Sequence, residues 1–392
     1  MEKVKSVLKR SIISFDKIEN PRRFKRNLAI KTTYRRLMDI SKLDKNMLNK
    51  EPEKNLTWYD AANLSIEGRG WDDTESPYHR LPSRAADTVP PPVWTLSKCP
   101  AGISIRFSTN STSLAVRWTG VSAMSHMTAT GVSGVDLYVR HENMWRWLAV
   151  GRPRYELNET AMFEDLPEVK RDFMLYLPLY NSVHKVELGI PPSFEIEPLP
   201  AVVKKPIVFY GTSITQGGCA SRPGMCYTSI LGRWLDVPVI NLGFSGNGKM
   251  DAGIMDLLCE LDPSIYVLDC LPNMNESLIL ERMENGIRKL HSARPEAHIA
   301  LVENILYCDS FLNKARMEHC ISVNRMLSSI HEKLSKERMK NLHYIKDTGF
   351  IGNDGESTVD GAHLTDLGYM RFSEQLIGPL KNILLQAGID NK

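Results

Sequence analysis

Four separated segments of the sequence carry side chains that together could catalyse acyl transfer through a serine. Ser213 ends the segment Gly211-Thr212-Ser213 that directly follows an apolar run, and a serine at a tight strand-to-helix turn is well placed as a nucleophile. Near the carboxyl terminus, Asp360 and His363 stand three residues apart, and Gly361 between them allows the backbone to turn so that they meet. In this arrangement the histidine would take the serine proton, and the aspartate would hold the histidine tautomer.

The two remaining segments offer hydrogen-bond donors for an oxyanion. Residues 241–248 form a glycine-rich loop that lets backbone approach a ligand, and we expect the Gly246 N–H to point at the reacting carbonyl. The loop lacks the Lys-Ser/Thr pair that completes a P-loop, which disfavours nucleotide binding. Asn273 supplies an uncharged amide, and one such donor can be worth roughly 3 to 4 kcal/mol of barrier.

Each of these segments is a weak signal when it is taken alone. Ser213 also suits a helix N-cap, and its neighbours do not form the Gly-x-Ser-x-Gly elbow of α/β-hydrolases. The Asp-x-x-His spacing is common by chance, so a surface loop is the alternative for Asp360 and His363. The proposed chemistry therefore depends on a fold that brings the four segments together.

Short apolar strands alternate with helices from about Lys204 onward, which predicts a parallel sheet covered by helices on both faces. The predicted strands are residues 206–210, 237–242, 264–269 and 298–302, and the predicted helices include residues 281–292 and 317–336. Ligands bind such sheets at the carboxyl ends of the strands. The serine, glycine and asparagine segments follow the first three strands. Glu303, which follows the fourth, could contact substrate or cap a helix.

The preceding region, from about Leu56 to Pro200, alternates polar and apolar residues over short stretches. Predicted strands cover residues 104–108, 114–118 and 184–190, and a hairpin joins 135–140 to 145–150 across residues 141–143. Several short strands at roughly even spacing indicate a sandwich or a jelly roll. Four prolines between residues 191 and 200 predict a stiff connection to the parallel sheet.

Together, the order and context of the four chemical segments resemble the SGNH hydrolases, also called the GDSL esterase and lipase superfamily. In that family the first block supplies a serine, the second a glycine, the third an asparagine and the last an Asp-x-x-His pair. The resemblance covers about residues 204–385. Carried over by position, the matching residues are Ser213, Gly246, Asn273, Asp360 and His363.

A second motif extends the resemblance towards the amino terminus. Residues 211–225 look like one branch of the family, in which an N-terminal β-sandwich carries a Gly-x-Asp-Leu-Tyr signature, and residues 134–138 read Gly-Val-Asp-Leu-Tyr. The resemblance implies a flavodoxin-like three-layer parallel sheet preceded by a β-sandwich or jelly-roll domain. We therefore expect a basic arm over residues 1–55, the β-sandwich over 56–200 and the catalytic domain over 201–392.

The sequence departs from the family pattern at four positions. Thr212 replaces the name-giving aspartate beside the nucleophile, where we expect little harm. Leu271 and Met274 replace a glycine and an aspartate around Asn273, so the amide remains but its support must differ. Leu364 follows the histidine where proline is frequent, which affects loop stiffness rather than catalysis.

The resemblance implies a serine esterase that cleaves a small acyl group, with acetyl as the leading choice, from a small-molecule or glycan ester. The N–H groups of Ser213 and Gly246 and the amide of Asn273 would form the oxyanion hole, and neither a metal nor an organic cofactor is needed. Two alternatives stay open. An acyltransferase would use the same residues, and a carbohydrate-binding protein could retain the scaffold without catalysis.

Several other residues have both a structural and a functional interpretation. His126 could reach the substrate crevice or be structural, and Trp145 and Trp147 could stack on sugar rings or pack in a core. Cys219 and Cys226 could pair, although two thiols near the site are the simpler expectation. No Cys and His spacing along the chain matches a zinc site.

Composition narrows the classes of partner. The chain has 392 residues with 49 Lys and Arg against 46 Asp and Glu, a formal net charge of +3 that gives no argument for nucleic acid or membrane binding. Residues 1–55 are rich in Lys and Arg and suggest a solvated tail or an electrostatic arm for anionic surfaces. Lys9 and Arg10 interrupt the one candidate for a signal peptide, so a cytoplasmic location is favoured, and a different true N-terminus would allow a secreted or periplasmic one.

Overall fold

The computed structural model describes Asp44 and residues 51–389. The basic arm predicted for residues 1–55 lies almost wholly outside the described residues. Within the described part of the chain, no helix is both long and apolar enough to cross a membrane.

The first part of the described chain forms two antiparallel sheets. Its strands are β1 (Thr57–Asp60), β2 (Ser65–Glu67), β3 (Ser104–Thr109), β4 (Leu114–Thr119), β5 (Val135–His141), β6 (Met144–Gly151), β7 (Leu157–Phe163), β8 (Arg171–Tyr176), β9 (Val186–Ile190) and β10 (Ile196–Pro198). One sheet has the order β1-β9-β4-β7, and the other has the order β10-β3-β8-β5-β6 with β2 also paired to β3. Two short helices lie between strands, α1 (Pro91–Ser97) and α2 (Ala129–Ser133).

The two antiparallel sheets share one apolar core. Val116 and Trp118 of the first sheet lie in the same buried cluster as Phe107, Leu137 and Phe173 of the second. This face-to-face packing is that of a sandwich, in which the inner residues of both sheets alternate with outward polar ones. The more specific jelly-roll connectivity stays a prediction.

The second part is an α/β unit built on five parallel strands. Its strands are β11 (Ile207–Gly211), β12 (Val239–Gly243), β13 (Ile265–Asp269), β14 (His298–Val302) and β15 (Leu342–Ile345). Its helices are α3 (Ser213–Gln216), α4 (Tyr227–Leu235), α5 (Ala252–Glu260), α6 (Glu276–Leu278), α7 (Glu284–Ala293), α8 (Lys314–Lys336) and α9 (Asp366–Gln386). The sheet order β12-β11-β13-β14-β15 is the 2-1-3-4-5 order of flavodoxin-like folds.

Alternate residues of the parallel strands pack against helices on opposite faces. On β11, Tyr210 lies in a cluster with residues of α5, α7 and α8. Its neighbour Phe209 lies in a second cluster with residues of α4 and α9. Strands β11, β13 and β14 are buried along their whole length, which explains why they appear in the sequence as continuous apolar runs.

The structure differs from the sequence prediction at several elements. Part of the proline-rich segment predicted as a stiff connection is β10, an edge strand that pairs with β3. An edge position tolerates Pro198, because its missing N–H need not serve a neighbouring strand. Strands β1, β2, β7, β8 and β15 and helices α1, α2 and α9 were missing from the prediction. The predicted β5–β6 hairpin is present, and its two turn residues, Glu142 and Asn143, have φ of 48° and 62°, as a type I′ turn requires.

The Gly-x-Asp-Leu-Tyr segment joins the sandwich to the α/β unit. Asp136, on β5, is fully buried, and its carboxylate accepts hydrogen bonds from Arg222 Nη1 at 2.7 Å and Gly224 N at 2.9 Å. A third donor is Trp147 Nε1 at 2.8 Å, and the Tyr138 hydroxyl accepts from Arg222 at 2.6 Å. The signature residues thus fix by hydrogen bonds the segment around Arg222 and Gly224, which follows the candidate nucleophile.

Candidate active site

The candidate nucleophile lies at a turn fixed by both its neighbours. Ser213 is 8% exposed and is the first residue of α3. Thr212 is the N-cap and shares a capping box with Thr215, so the two side chains take the N–H groups of Ile214 and Thr212. The Ser213 N–H belongs to the first helical turn, which has no carbonyl partner within the helix, and it is therefore available to a ligand.

Ser213, His363 and Asp360 form a continuous hydrogen-bonded relay. The Ser213 Oγ lies 2.8 Å from His363 Nε2. The opposite ring nitrogen, Nδ1, lies 2.7 Å from Asp360 Oδ2. These distances are in the range in which an imidazole can accept a hydroxyl proton while a carboxylate holds its other N–H.

The backbone turn between Asp360 and His363 also binds the carboxylate. Asp360 Oδ1 accepts from the N–H of His363 at 2.8 Å and from the N–H of Ala362 at 3.1 Å. Partial burial opposes ionisation, but these N–H groups and the His363 ring lower the pKa of Asp360 to about 2. Gly361 has a φ of 90°, which explains why the spacing needs a glycine there. The carboxylate is therefore ionised throughout the neutral range.

The glycine-rich loop lies between the serine turn and Asn273. A Cβ added to Gly248 would meet the carbonyl oxygen of Gly211 at 2.2 Å, so the loop packs directly on the end of β11. The Gly248 N–H donates to Asn273 Oδ1 at 3.1 Å. This bond occupies the carbonyl end of the side-chain amide and leaves its NH₂ end to face another group. Gly246 has a φ of 68°, and nothing lies within 4 Å of a Cβ added there.

The residues that depart from the family pattern around Asn273 and His363 are buried apolar side chains. Leu271 and Met274 flank Asn273 and are buried in the core beneath the sheet edge. Leu364, next to His363, is fully buried in the cluster on the opposite face. The two loops are therefore fixed by packing of these side chains.

A buried carboxylate that sequence reasoning did not assign lies beneath the serine turn. Asp269, the last residue of β13, accepts from the Tyr227 hydroxyl at 2.8 Å and from Thr215 Oγ1 at 3.0 Å. Burial raises its pKa to about 7, although the two hydrogen bonds act in the opposite direction. Through Thr215 this carboxyl supports the capping box that holds Ser213. Its position at the carboxyl end of a strand was the signal that could have identified it.

His126 lies beside the relay, whereas Glu303 is held by other protein groups. The ring centroids of His126 and His363 are 5.7 Å apart. Glu303 accepts a hydrogen bond from the Tyr344 hydroxyl and another from the Asp347 N–H, so both carboxylate oxygens have partners. Of these two predicted substrate contacts, the structure brings only His126 next to the candidate catalytic residues.

The remaining residues singled out in the sequence have specific contacts. Cys219 and Cys226 are both free thiols, with hydrogen bonds to the carbonyls of His126 and Thr215, respectively. Trp147 is half-exposed and bonded to Asp136. Trp145 is partly buried, with the guanidinium groups of Arg106 and Arg140 5.9 Å and 5.4 Å from its ring centroid. Neither tryptophan is a core residue of the sandwich.

A flavodoxin-like sheet with these four loops at the carboxyl ends of its strands defines an SGNH-type ester hydrolase. Residues 204–381 match the GDSL-like lipase/acylhydrolase family, and residues 56–196 match the N-terminus of the SGNH-hydrolase-type esterases, known as the GxDLY region. The chain belongs to the GDSL-like lipase/acylhydrolase family.

Solved structures are similar to this chain over most of its length, and one of them is more than 30% identical. A protein from Bacteroides ovatus ATCC 8483, described as a GDSL-like lipase, is 32% identical with a TM-score of 0.81, and the match covers 84% of this chain and 98% of that one. The salicylyl-acyltransferase SsfX3 of a tetracycline biosynthetic pathway is 16% identical with a TM-score of 0.68, covering 86% and 99%. The acetyl xylan esterase Est2A from Butyrivibrio proteoclasticus is 12% identical with a TM-score of 0.51, covering 84% and 99%. A comparison with curated proteins gave no match.

Proposed function

We propose that this protein is a serine esterase that removes a small acyl group, acetyl first among them, from a carbohydrate ester. The observation that carries the proposal is the relay in which Ser213 Oγ lies 2.8 Å from His363 Nε2 and His363 Nδ1 lies 2.7 Å from Asp360. Membership of an acylhydrolase family supplies the reaction class, and the relay supplies the residues.

In the acylation half-reaction, Ser213 Oγ attacks the ester carbonyl while His363 Nε2 takes the hydroxyl proton. The imidazolium that forms is stabilised by the ionised Asp360, whose low pKa keeps its charge in place at neutral pH. His363 then passes the proton to the leaving alcohol as the tetrahedral intermediate collapses. The product of this half-reaction is an acyl ester of Ser213.

Three donors are assigned to the developing oxyanion. They are the backbone N–H groups of Ser213 and Gly246 and the side-chain NH₂ of Asn273. The Asn273 donor is preorganised because the Gly248 N–H holds its carbonyl end at 3.1 Å. A fixed donor of this kind stabilises a tetrahedral intermediate more than the planar ester, which is the requirement for faster turnover.

Deacylation repeats the same steps with water as the attacking group. His363 takes a proton from the water, the oxyanion donors hold the second tetrahedral intermediate, and the proton returns to Ser213 Oγ as the acid leaves. An alcohol acceptor in place of water would turn the same residues into an acyltransferase. The similarity in fold to the salicylyl-acyltransferase SsfX3 keeps this second candidate open.

The substrate class rests on the neighbours and on the sandwich. Est2A, an acetyl xylan esterase, has the same fold over 84% of this chain. In this protein the loop that carries His126 reaches the relay from the sandwich, so substrate would meet residues of both parts of the chain. We therefore assign His126 as a substrate contact on the side of the alcohol or glycan.

The test is turnover of a chromogenic acetyl ester by the full chain and by Ser213→Ala. We expect the variant to lose at least about 10³-fold in kcat, because only the oxyanion donors and binding remain. Ser329→Ala, on the exposed side of α8, is the matched control and should keep full activity. Undiminished turnover by Ser213→Ala would refute the assignment.

Two further measurements identify the substrate and the acceptor. Released acids are measured across acetylated oligosaccharides, short aryl esters and lipids, and acetate from the oligosaccharides is expected to predominate. Release from lipids alone would overturn the carbohydrate assignment. The same reactions with added alcohols should give little transesterified product, whereas dominant transfer would favour the acyltransferase.

A further inference from the structure

Three metal-ligating side chains from distant segments meet beside the candidate nucleophile. His126 comes from the loop before α2, Cys219 from the turn after α3 and His363 from the loop before α9. One ligand atom of each lies within 4.8 Å of the other two, and within residues 51–389 no other group of this kind comes together. Because the members are 93 and 144 residues apart (219 − 126 and 363 − 219), no spacing in the sequence could have indicated the cluster.

The cluster is close to the size that a bound Zn²⁺ requires. With Zn–N near 2.0 Å and Zn–S near 2.3 Å, tetrahedral ligand atoms lie roughly 3.3 to 3.8 Å apart. The ligand atoms of the three side chains therefore need to move about 1 Å closer together. His126 lies in the turn closed by the Met124–Met127 bridge, and a change of its side-chain rotamer can supply that movement without moving the backbone.

His363 already has the support that a metal-bound histidine needs. Its Nδ1 is held by Asp360 at 2.7 Å, and a carboxylate on the far ring nitrogen is the common outer partner of zinc-bound imidazoles. The nitrogen left for the metal is Nε2, which in this structure lies 2.8 Å from Ser213 Oγ. A metal at Nε2 and the serine hydroxyl would therefore compete for one lone pair.

Cys219 is held at the cluster in a backbone conformation that few residues other than glycine adopt. Its φ is 72°, and its Sγ donates to the carbonyl oxygen of His126 at 3.3 Å. Burial, with a smaller contribution from the Asp360 charge, raises the pKa of the thiol to about 12. The thiol is therefore protonated at neutral pH, and a metal that binds it must displace that proton to solvent.

We propose that His126, Cys219 and His363 form an inhibitory site for Zn²⁺ or a similar thiophilic divalent ion. On binding, the Cys219 S–H bond breaks, an S–metal bond forms and one proton is released, while both imidazoles bind through neutral nitrogens. Water or the Ser213 hydroxyl completes four-coordination. Hard ions such as Mg²⁺ and Ca²⁺ are excluded because two nitrogens and a sulfur are poor ligands for them.

The inhibitory consequence rests on the proposed function, because it requires His363 to be the general base. Once its Nε2 lone pair is bound to the metal, His363 can no longer take the Ser213 proton. The site itself does not depend on activity, so the binding of metal and the loss of turnover are measured separately.

Binding is tested by titrating the chelator-treated full chain with Co²⁺ and recording its absorption spectrum. We expect one equivalent to bind, with the visible bands of tetrahedral Co²⁺ and a thiolate-to-cobalt charge-transfer band. Cys219→Ser should lose the charge-transfer band, and His126→Ala should weaken binding at least tenfold. Ser213→Ala should keep the cobalt spectrum. The matched control is Cys259→Ser, which removes a free thiol on α5 and should also keep the spectrum.

Inhibition is tested with Zn²⁺ in the esterase assay. Zn²⁺ should inhibit the full chain reversibly, and a chelator should restore the activity. Mg²⁺ should leave the activity unchanged. In His126→Ala and Cys219→Ser, the Zn²⁺ concentration needed for inhibition should rise at least tenfold. Equal inhibition in these variants, or no charge-transfer band in the unaltered chain, would overturn the proposal. A normal cobalt spectrum in a chain without esterase activity would instead overturn the proposed function and leave the site in place.

Discussion

Replacing Asp136 with asparagine tests whether the Gly-x-Asp-Leu-Tyr segment holds the sandwich against the α/β unit through charge. The carboxylate is fully buried and accepts from Arg222, Gly224 and Trp147, all within 2.9 Å. Asparagine has the same size but one acceptor oxygen, so its NH₂ would face one of these donors. It also leaves the Arg222 guanidinium without its counter-ion.

The expected loss in free energy of unfolding is about 3 kcal/mol. Breaking one side of a buried ion pair costs about 3 to 5 kcal/mol, and the lower value applies because the Arg222 side chain is 22% exposed and can reach water. Glu159→Gln breaks the more exposed pair with Arg117, whose side chains are 31% and 34% exposed, and should cost under about 1 kcal/mol. This second variant is the matched control.

The assay is urea denaturation of each variant, combined in a cycle with Arg222→Met. If the two residues act as a pair, the double variant should lose less stability than the sum of the single losses, by at least about 1 kcal/mol. Because Arg222 lies nine residues after Ser213, a fall in kcat is expected in the same variants. A loss as small as that of Glu159→Gln, or strictly additive losses, would refute the reasoning.

Three further predictions concern single side chains. Asn273→Ala should lower kcat by about 10² to 10³ with little change in KM, because its amide is assigned to the oxyanion; an equal rise in KM would contradict this. Asp269 has a folded pKa raised to about 7, so the folded protein holds a proton that the unfolded chain has lost, and stability should fall as the pH rises from about 4 to 7. Asp269→Asn should remove that pH dependence, which amounts to a loss of up to roughly 4 kcal/mol in the free energy of unfolding at pH 8. The measurement is urea denaturation across this pH range, and an unchanged pH profile in the variant would contradict the prediction. The pH dependence that His343 contributes to stability has the opposite sign. Burial, with the charges of His298 and His331, lowers the pKa of His343 to about 4. The free energy of unfolding should therefore fall as the pH drops from about 6.5 to 4. His343→Gln should reduce this acid loss by roughly 2 to 3 kcal/mol, and an unchanged loss would count against it.

The sequence predicted four of the five parallel strands, because strands that are buried on both faces leave a clear pattern, whereas the partly exposed β15 was missed. Such strands are continuous apolar runs, and His298–Val302 has the bounds that were predicted for it. The hairpin turn at Glu142 and Asn143 was placed within one residue, because polar residues suited to a turn separate the two runs that form the strands. Each of these features depends on local patterns.

What the sequence could not predict depends on contacts between distant segments. Strand β7 (Leu157–Phe163) has the polar Asn158 and Thr160 at buried positions and Leu157 at an exposed one, so its sequence does not show the usual alternation and the pairing with β4 determines it. The positions of His126 beside His363, and of Asp136 on Arg222, arise only once the sandwich has docked on the α/β unit. No local pattern carries such information.

The candidate site was predictable because its residues follow strand ends. Ser213, Gly246 and Asn273 each lie in a loop after a parallel strand, and the fold brings those loops to one edge of the sheet. The residues that support these loops from below were harder to predict from the sequence. Asp269 and Tyr227 are 42 residues apart and meet only in the folded chain.

The central claim, that His363 activates Ser213 for covalent catalysis, is tested most directly by labelling with a fluorophosphonate and locating the label by peptide mass spectrometry. We predict one label per chain, on Ser213, formed at least about 10³-fold more slowly in His363→Gln and absent in Ser213→Ala. Circular dichroism of both variants shows whether they are folded. A label on another residue, or equally fast labelling in folded His363→Gln, would contradict the account.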